Sequence, residues 1–425
     1  MTVDSWVSDA TAGLLTDLYE LTMLQAYWQK DMHDESVFSL FTRKLPTGRN
    51  YLLACGLDDV LRYLESLRFD QPCLEALKKL EQFSDGFLDW LSGFRFSGDV
   101  WAMAEGTPFF PDEPILEVRA PIDQAQLAET FVMNQVHLQT VLASKASRVV
   151  TAAGDRAVVD FGLRRMHGAD AGIKAARAFH IAGVHSTSNV LAGAAYDIPV
   201  SGTMAHSFIE AHDNEMAAFR DFASVYPNTI LLVDTYDTLD GVRKVIELAN
   251  ELGDGFQVRG IRLDSGDLAD LAVKSRRLLD QAGLDQVSIF ASGSLDEQRI
   301  AEMIAQGAPI NGFGVGTRMG VSADAPYLDM VYKLTEYAGK GRLKTSSGKQ
   351  TLPGQKQVFR QEGDEGARRD IVAQHHESHP GRPLLRKVME SGTRLEEGKV
   401  SVDAAREHCQ AELSRLPGRL LALDQ

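Results

Sequence analysis

Between about residues 150 and 320 the chain repeats one pattern of apolar and polar positions. A short β-branched run gives way to a turn rich in Gly, Ser or Asp, and then to a segment whose apolar residues recur every third or fourth position. "AVVDFG" precedes "IKAARAFHIAG", "TILLVDTYD" precedes "LDGVRKVIELANELG", and "VRGIRLDSGD" precedes "LADLAVKSRRLLDQAG". "VSIFASGS" then precedes "LDEQRIAEMIAQG", and "NGFGVGT" closes the series. Strand-length runs alternating with amphipathic segments predict parallel strands covered by helices, and so many consecutive units predict a closed or nearly closed α/β barrel.

The flanks lack this repeat. The pattern predicts a helix over 13–28, a strand over 37–41, helices within 57–92, strands near 98–104 and 115–118, and a strand at "IPVSG" inside the repeat region. A long amphipathic helix over 124–145 leads toward the barrel. Beyond residue 327, "YLDMVYKLTEY" and "KQVFRQ" read as strands on either side of an exposed Gly- and Lys-rich loop, "AGKGRLKTSSGKQTLPG". "HPGRPLLRK" reads as a polar loop, and "SVDAAREHCQAELSRL" as a surface helix starting near Ser401 or Asp403. The expected organisation is therefore an accessory α/β domain formed from both chain ends, residues 1–120 and 326–425, around an α/β barrel over 121–325.

Composition narrows the function classes. With 44% hydrophobic and 24% charged residues the chain is of the soluble globular kind. A net charge of −15 argues against a nucleic-acid partner, which needs a basic stripe against phosphates. A few local arginines can still receive a small anion. Cys55, Cys73 and Cys409 are scattered without metal-ligand spacing, so neither a protein-bound zinc nor a disulfide framework is expected, and a reducing cytoplasm fits best. The first 20 residues carry early acids and no secretory pattern, and no run approaches the ~18 apolar residues of a membrane span.

In a parallel barrel all strand ends share one rim, which is where ligands bind. Asp160, Phe161 and Gly162, then Asp234 and Thr235, Arg262 with Asp264, Ser292 with Gly293, and residues 314–317 are thus expected around one cleft. "GIRLDSGDL" ends a strand and opens a helix, so Ser265, Gly266 and Asp267 can cap that helix or offer free amides to an anion. "ASGS" and "FGVGTRMG" are glycine-bearing turns in successive late units, the usual place of a phosphate cradle, although simple tight turns explain such glycines too. In "VVDFGLRR" a ring at Phe161 next to Arg164 suits a flat anionic ligand, or else a core Phe followed by surface arginines. Tyr19, on the apolar stripe "LLTDLYELTML", reads as half-buried. His206 in "SGTMAHSFIE" is either a structural histidine or, beside Thr203 on the rim, a chemically active imidazole.

Taken together, "TDLYELTM", "FTRKLP", "DFGLRR", "TSNVLAG", "GTMAHSF", "IRLDSGD", "FGVGT" and "LPGQKQVFR" resemble, in order and spacing, the nicotinate phosphoribosyltransferases over nearly the whole chain. The resemblance implies an irregular α/β barrel of the type II phosphoribosyltransferase kind, working as a homodimer with shared active sites. It also implies the joining of nicotinate to 5-phosphoribosyl 1-pyrophosphate (PRPP), coupled to ATP and dependent on Mg²⁺. Phe161 and Tyr19, the latter from a partner subunit, would sandwich the pyridine ring. Arg164, Thr203 and Arg262 would surround the ring and its carboxylate, and Arg43 would reach a phosphate across the interface. Asp264 would hold ribose hydroxyls or a magnesium-bound water. Ser292, Gly293, Gly314, Gly316 and Thr317 would cradle the 5-phosphate with Ser265 and Gly266, and His206 would accept phosphate from ATP.

Ser188 in "STSNV" stands where the nicotinamide enzymes carry an Asp, favouring nicotinate. His167 departs from the family pattern and bears on the pH response of the nearby pocket. The competing readings are a nicotinamide or quinolinate transferase, a catalytically silent PRPP-binding homologue, and a phosphate-binding isomerase or aldolase. The last is opposed by the absence of a lysine from the strand runs.

Overall fold

A computed structural model of the chain describes residues 7–344, 351–363 and 366–423. They divide into two compact units, Lys145–Pro326 and a unit combining Met1–Ser144 with Tyr327–Gln425. The division falls inside the helix Glu129–Ala153 and not at residue 121. The reason lies in that helix's apolar positions: Phe131, Val132, Val136 and Val141 are buried in the hydrophobic core of the first unit.

The second unit holds six parallel strands, in spatial order Ser186–Thr187, Ala157–Asp160, Gly312–Val315, Ser288–Ala291, Gly260–Leu263 and Ile230–Leu232. Their centres are apolar and buried, as both faces of a helix-covered parallel sheet require. The two outermost strands do not pair with each other, so the barrel is open and irregular. The strand expected at "IPVSG" shrinks to one bridge between Val200 and Thr187, and Pro199 next to it has no N–H to extend a ladder.

After each strand the turn chemistry starts the next helix. Asn189, Asn214, Asp237, Asp267 and Asp296 each accept a hydrogen bond from the backbone N–H three residues on. Such a cap stabilises a helix start by about 1 kcal/mol. These side chains explain the polar turns of the repeat, and they fix where the loop between strand end and helix must run.

The first unit is built on a seven-stranded sheet that interleaves the two chain ends. Glu35–Thr42 lies between Met330–Tyr337 and Leu116–Pro121, and Asp99–Met103 pairs with Leu385–Glu390. The helix expected over 13–28 begins only at Leu18, after a 3₁₀ turn at Ala12–Leu14. The one expected over 124–145 is two helices, Ile122–Leu127 and Glu129–Ala153. "HPGRPLLRK" is no polar loop, because Arg382–Pro383 and Leu385–Glu390 are strands. The C-terminal helix Val402–Ser414, capped by Ser401, is not confined to the surface: it buries Ala405, Cys409 and Glu412. Cys409 lies so close to Gly106 that a Cβ there would stand 2.5 Å from its own. The Gly- and Lys-rich loop falls partly outside the described residues, at 345–350. Among the described residues no helix is long and apolar enough to cross a membrane.

Candidate active site

A cavity of about 730 Å³ opens at the C-terminal ends of the parallel strands, lined by the second unit. Its floor and walls come from six segments that lie far apart in sequence: 161–165, 188, 202–207, 262–264, 292–294 and 314–317. The rim shared by parallel strands produces this convergence.

Phe161 follows the strand Ala157–Asp160, and its backbone N–H donates to Val315 O at 2.9 Å. The ring lies against the neighbouring strand only because residue 314 is glycine, since a Cβ there would come within 2.5 Å of a ring carbon. The Arg262 guanidinium stands 5.9 Å from the Phe161 ring centroid, a cation–π arrangement that forms one wall of a slot for a flat ligand. Arg262 also donates from Nη1 to Thr203 Oγ1 in a short hydrogen bond. Its Nε is buried with no partner among the described residues. Burial lowers the guanidinium's proton affinity, Asp264 and Asp234 oppose this, and Arg164 adds to it. A buried cation with an unused donor favours an anion beside it.

Asp264 connects the next two loops. Its Oδ1 accepts a short hydrogen bond from Ser292 Oγ, and its Oδ2 faces His206 Nε2 at 3.9 Å. Gly293 has φ +95°, and a Cβ there would lie 1.9 Å from the Asp264 carbonyl oxygen, so only glycine fits this turn. Beneath them the buried Asp234 accepts from Asp264 N at 2.9 Å and from Ser265 Oγ at 2.6 Å. The other oxygen of Asp234, Oδ1, is buried and unpartnered among the described residues. His206 opens the short helix His206–Glu210, and its Nδ1 is 3.1 Å from Thr235 Oγ1.

The cavity thus gathers Phe161, Arg164, Ser188, Thr203, His206, Arg262, Asp264, Ser292, Gly293, Gly314, Gly316 and Thr317. Ser265 and Gly266 do not join them. The Ser265 hydroxyl turns inward to Asp234, and Gly266 borders a separate hollow shared with Arg299. Asp267 caps the helix Leu268–Gln281 by accepting from Asp270 N. Asp160 and Asp234 were expected to face the cleft and are instead buried supports outside its lining. Burial pushes the Asp160 carboxyl above the ordinary range, and hydrogen bonds from Gly162 N and Thr187 Oγ1 partly offset this. His167 is exposed and outside the lining. Tyr19 and Arg43 belong to the first unit. Tyr19 is 48% exposed there, and Arg43 Nη1 lies 3.8 Å from Asp329 Oδ1.

Arg165, the second of the paired arginines after Phe161, also lines the cavity, as do Met204 and Ser294, which were not singled out from the sequence for it. Thr235 was expected on the rim but not as the partner of His206. A hydroxyl one residue after a strand-end carboxylate was the available signal.

Residues 14–137 match the nicotinate phosphoribosyltransferase N-terminal domain family, and residues 156–371 match the nicotinate phosphoribosyltransferase family. The chain is 56% identical over 412 residues to nicotinate phosphoribosyltransferase pncB2 of Mycobacterium tuberculosis, covering 97% of this chain and 89% of that protein. It is 41% identical over 360 residues to nicotinate phosphoribosyltransferase of Bacillus subtilis, covering 83% of this chain and 74% of that one. Human nicotinic acid phosphoribosyltransferase superposes with a TM-score of 0.86 at 28% identity over 96% of each chain. Nicotinate-nucleotide pyrophosphorylase of Pyrococcus furiosus does so with a TM-score of 0.79 at 25% identity, over 98% of this chain and 99% of that one. The fold, the strand-end cavity and the similarity across nearly its whole length make this chain an enzyme that belongs to the nicotinate phosphoribosyltransferase family.

Proposed function

We propose that the cavity joins nicotinate to PRPP, converting nicotinate, PRPP, ATP and water to nicotinate mononucleotide, pyrophosphate, ADP and phosphate. This is the first step of NAD salvage from nicotinate, carried out in the cytoplasm. The observation that carries the reading is the convergence of the Phe161–Arg262 pair with the Ser292–Gly293 and Gly314–Thr317 turns on one cavity. The first suits an aromatic carboxylate and the second a phosphate, within one volume.

In this reading the ring stacks on Phe161, and Arg262, Thr203, Arg164 and the neutral Ser188 surround its carboxylate. The partner subunit of a homodimer supplies Tyr19 to the other face of the ring and Arg43 to a phosphate. The ring nitrogen attacks the anomeric carbon with its own lone pair while the bond to pyrophosphate breaks, so no general base is needed. Positive charge develops on the ribose, and the Asp264 carboxylate stabilises it. Ser292 holds one oxygen of that carboxylate and leaves the other directed into the cavity.

Magnesium enters with PRPP as part of the substrate. Such an ion keeps several waters and needs only one or two carboxylates besides the phosphates. Asp264, the carboxylate that lines the cavity, would suit that demand. When bound, the ion offsets the charge of the departing pyrophosphate.

His206 serves the ATP step. A Thr235 hydroxyl accepting from Nδ1–H leaves the Nε2 lone pair as nucleophile toward the γ-phosphorus, with ADP departing. Water then releases the phosphate from the phosphohistidine.

Labelled nicotinate incubated with PRPP, Mg²⁺ and ATP is expected to give labelled mononucleotide, with nicotinamide a poor substitute. No product, or equal use of nicotinamide, contradicts the proposal. Arg165 adds a third guanidinium to the lining, so quinolinate belongs in the same assay as the alternative substrate.

A further inference from the structure

Asp160 contacts none of the open volume and yet ties together two of the loops that form it. It ends the strand Ala157–Asp160, is 1% exposed, and has every acceptor in use. Oδ1 accepts from Gly162 N at 2.8 Å, folding the side chain over the chain two residues on. Oδ2 accepts from Thr187 Oγ1 at 2.8 Å, and the backbone carbonyl accepts from Ser188 N at 2.9 Å. Phe161 lies between Asp160 and Gly162, and Ser188 follows Thr187. One carboxylate therefore sets both the ring wall and the hydroxyl opposite it.

The surroundings reinforce this clamp. Thr187 Oγ1 also accepts from Asn189 N at 3.1 Å, and Asn189 caps the helix Val190–Tyr196 while donating to Gly172 O at 3.2 Å. A Cβ at Gly162 would lie 2.6 Å from Met166 Cε and 3.0 Å from Asp160 Oδ1, so a side chain there would crowd the carboxylate. On the strands themselves Asp160 is in register with Thr187, which places the two loops side by side.

We propose that Asp160 is a positioning residue that sets nicotinate affinity and the preference for nicotinate over nicotinamide, by holding Phe161 and Ser188 at fixed separation. The inference rests on the reading of the cavity as the nicotinate site. Its geometry needs an acceptor toward Gly162 N and a hydrogen bond of either direction with the Thr187 hydroxyl, and not the negative charge. Asn keeps Oδ1 for Gly162 N and offers an amide to the Thr187 hydroxyl, whereas Ala removes both anchors.

Steady-state kinetics of wild type, Asp160→Asn, Asp160→Ala and Thr187→Val, with nicotinate and PRPP varied separately, test it. Asp160→Ala and Thr187→Val are expected to raise KM for nicotinate about tenfold and to narrow the nicotinate over nicotinamide preference, while KM for PRPP moves less than about threefold. Asp160→Asn is expected to stay within about threefold of wild type throughout. A parallel rise of both KM values in the Ala and Val variants, or no change in either, overturns the inference. So does an Asn variant as impaired as the Ala variant. If Asp160→Ala does not fold, Thr187→Val against Asp160→Asn decides by the same criteria. A wild-type protein that makes no nicotinate mononucleotide strikes the proposed function itself, which separates the two failures.

Discussion

The parallel sheet has a hollow at each end. At the C-terminal strand ends lies the cavity of about 730 Å³. At the N-terminal ends Arg156, Arg276, Asp285, Ser288 and Asn311 border another of about 670 Å³. Both are polar and both contain arginines, but their charged groups are used differently. On the N-terminal side Arg276 donates to Val287 O at 2.6 Å, Leu284 O at 2.7 Å and Asp280 at 2.7 Å, and Arg156 donates to Ile310 O at 3.0 Å. There the guanidiniums close loops. On the C-terminal side Arg262 keeps an Nε that is buried and unpartnered among the described residues, and Asp264 Oδ2 faces His206 Nε2 at 3.9 Å. Volume does not separate a binding site from a surface hollow; charged groups left with unused capacity do.

Substitutions at the two ends are expected to part accordingly. Arg262→Ala should lower kcat/KM by about 10³, and Arg262→Lys should recover little of it, since an ammonium cannot keep both the Thr203 bond and the ring contact. Steady-state rates with both substrates check this, and near-normal activity in the Lys variant would weaken the assignment of this rim. His206→Ala should remove ATP hydrolysis and any gain in affinity that ATP confers. Slow mononucleotide synthesis at high substrate should remain within about tenfold of wild type, because the imidazole takes no part in glycosyl transfer. Loss of folding, read by circular dichroism, would make that histidine structural.

Smaller effects sharpen the contrast. Ser188→Asp should reduce nicotinate use about tenfold through repulsion of its carboxylate and improve nicotinamide use, as competition between the two substrates would record. At the opposite rim Arg276→Ala should leave kcat/KM within about twofold while costing about 1–3 kcal/mol of stability, because buried carbonyls lose their donor. Denaturant titration measures the second number. A large fall in activity there would erase the distinction between the ends.

The repeat of strand, turn and helix was legible because local pattern carries it: the apolar period changes at each turn, and an Asp cap marks the starts of the helices Thr238–Leu252, Leu268–Gln281 and Glu297–Ala305. The first unit was legible as one domain formed from both chain ends, but its strand pairing was not. Its sheet pairs Glu35–Thr42 with Met330–Tyr337, and a register between segments some 300 residues apart leaves no local trace. In the same way Cys409 was read as part of a surface helix, since its burial depends on the distant Gly106.

Within the site, residues at strand ends were legible because the barrel forces them onto one rim. Ser265 and Gly266 lie outside the lining, and the Ser265 hydroxyl is held by Asp234 at the end of a neighbouring strand, a contact that leaves no local trace in the sequence. The buried organisers, Asp160 and Asp234, were assigned to the cleft itself. A sequence does not reveal whether a strand-end carboxylate turns toward ligand or back onto its own loop. Asp160 folds back onto Gly162 N, whereas Asp264, which also has a glycine two residues on, lines the cavity.

The central claim is that one end of the sheet binds the product in a single orientation. A crystal structure of the protein with nicotinate mononucleotide tests it most directly. The account predicts the pyridine ring against Phe161, its carboxylate within hydrogen-bond reach of Arg262, and the 5-phosphate at the Ser292–Gly293 and Gly316–Thr317 turns. A nucleotide bound with its phosphate at Arg262 and its ring on those glycine turns, or bound at the Arg156 and Arg276 rim, would contradict it.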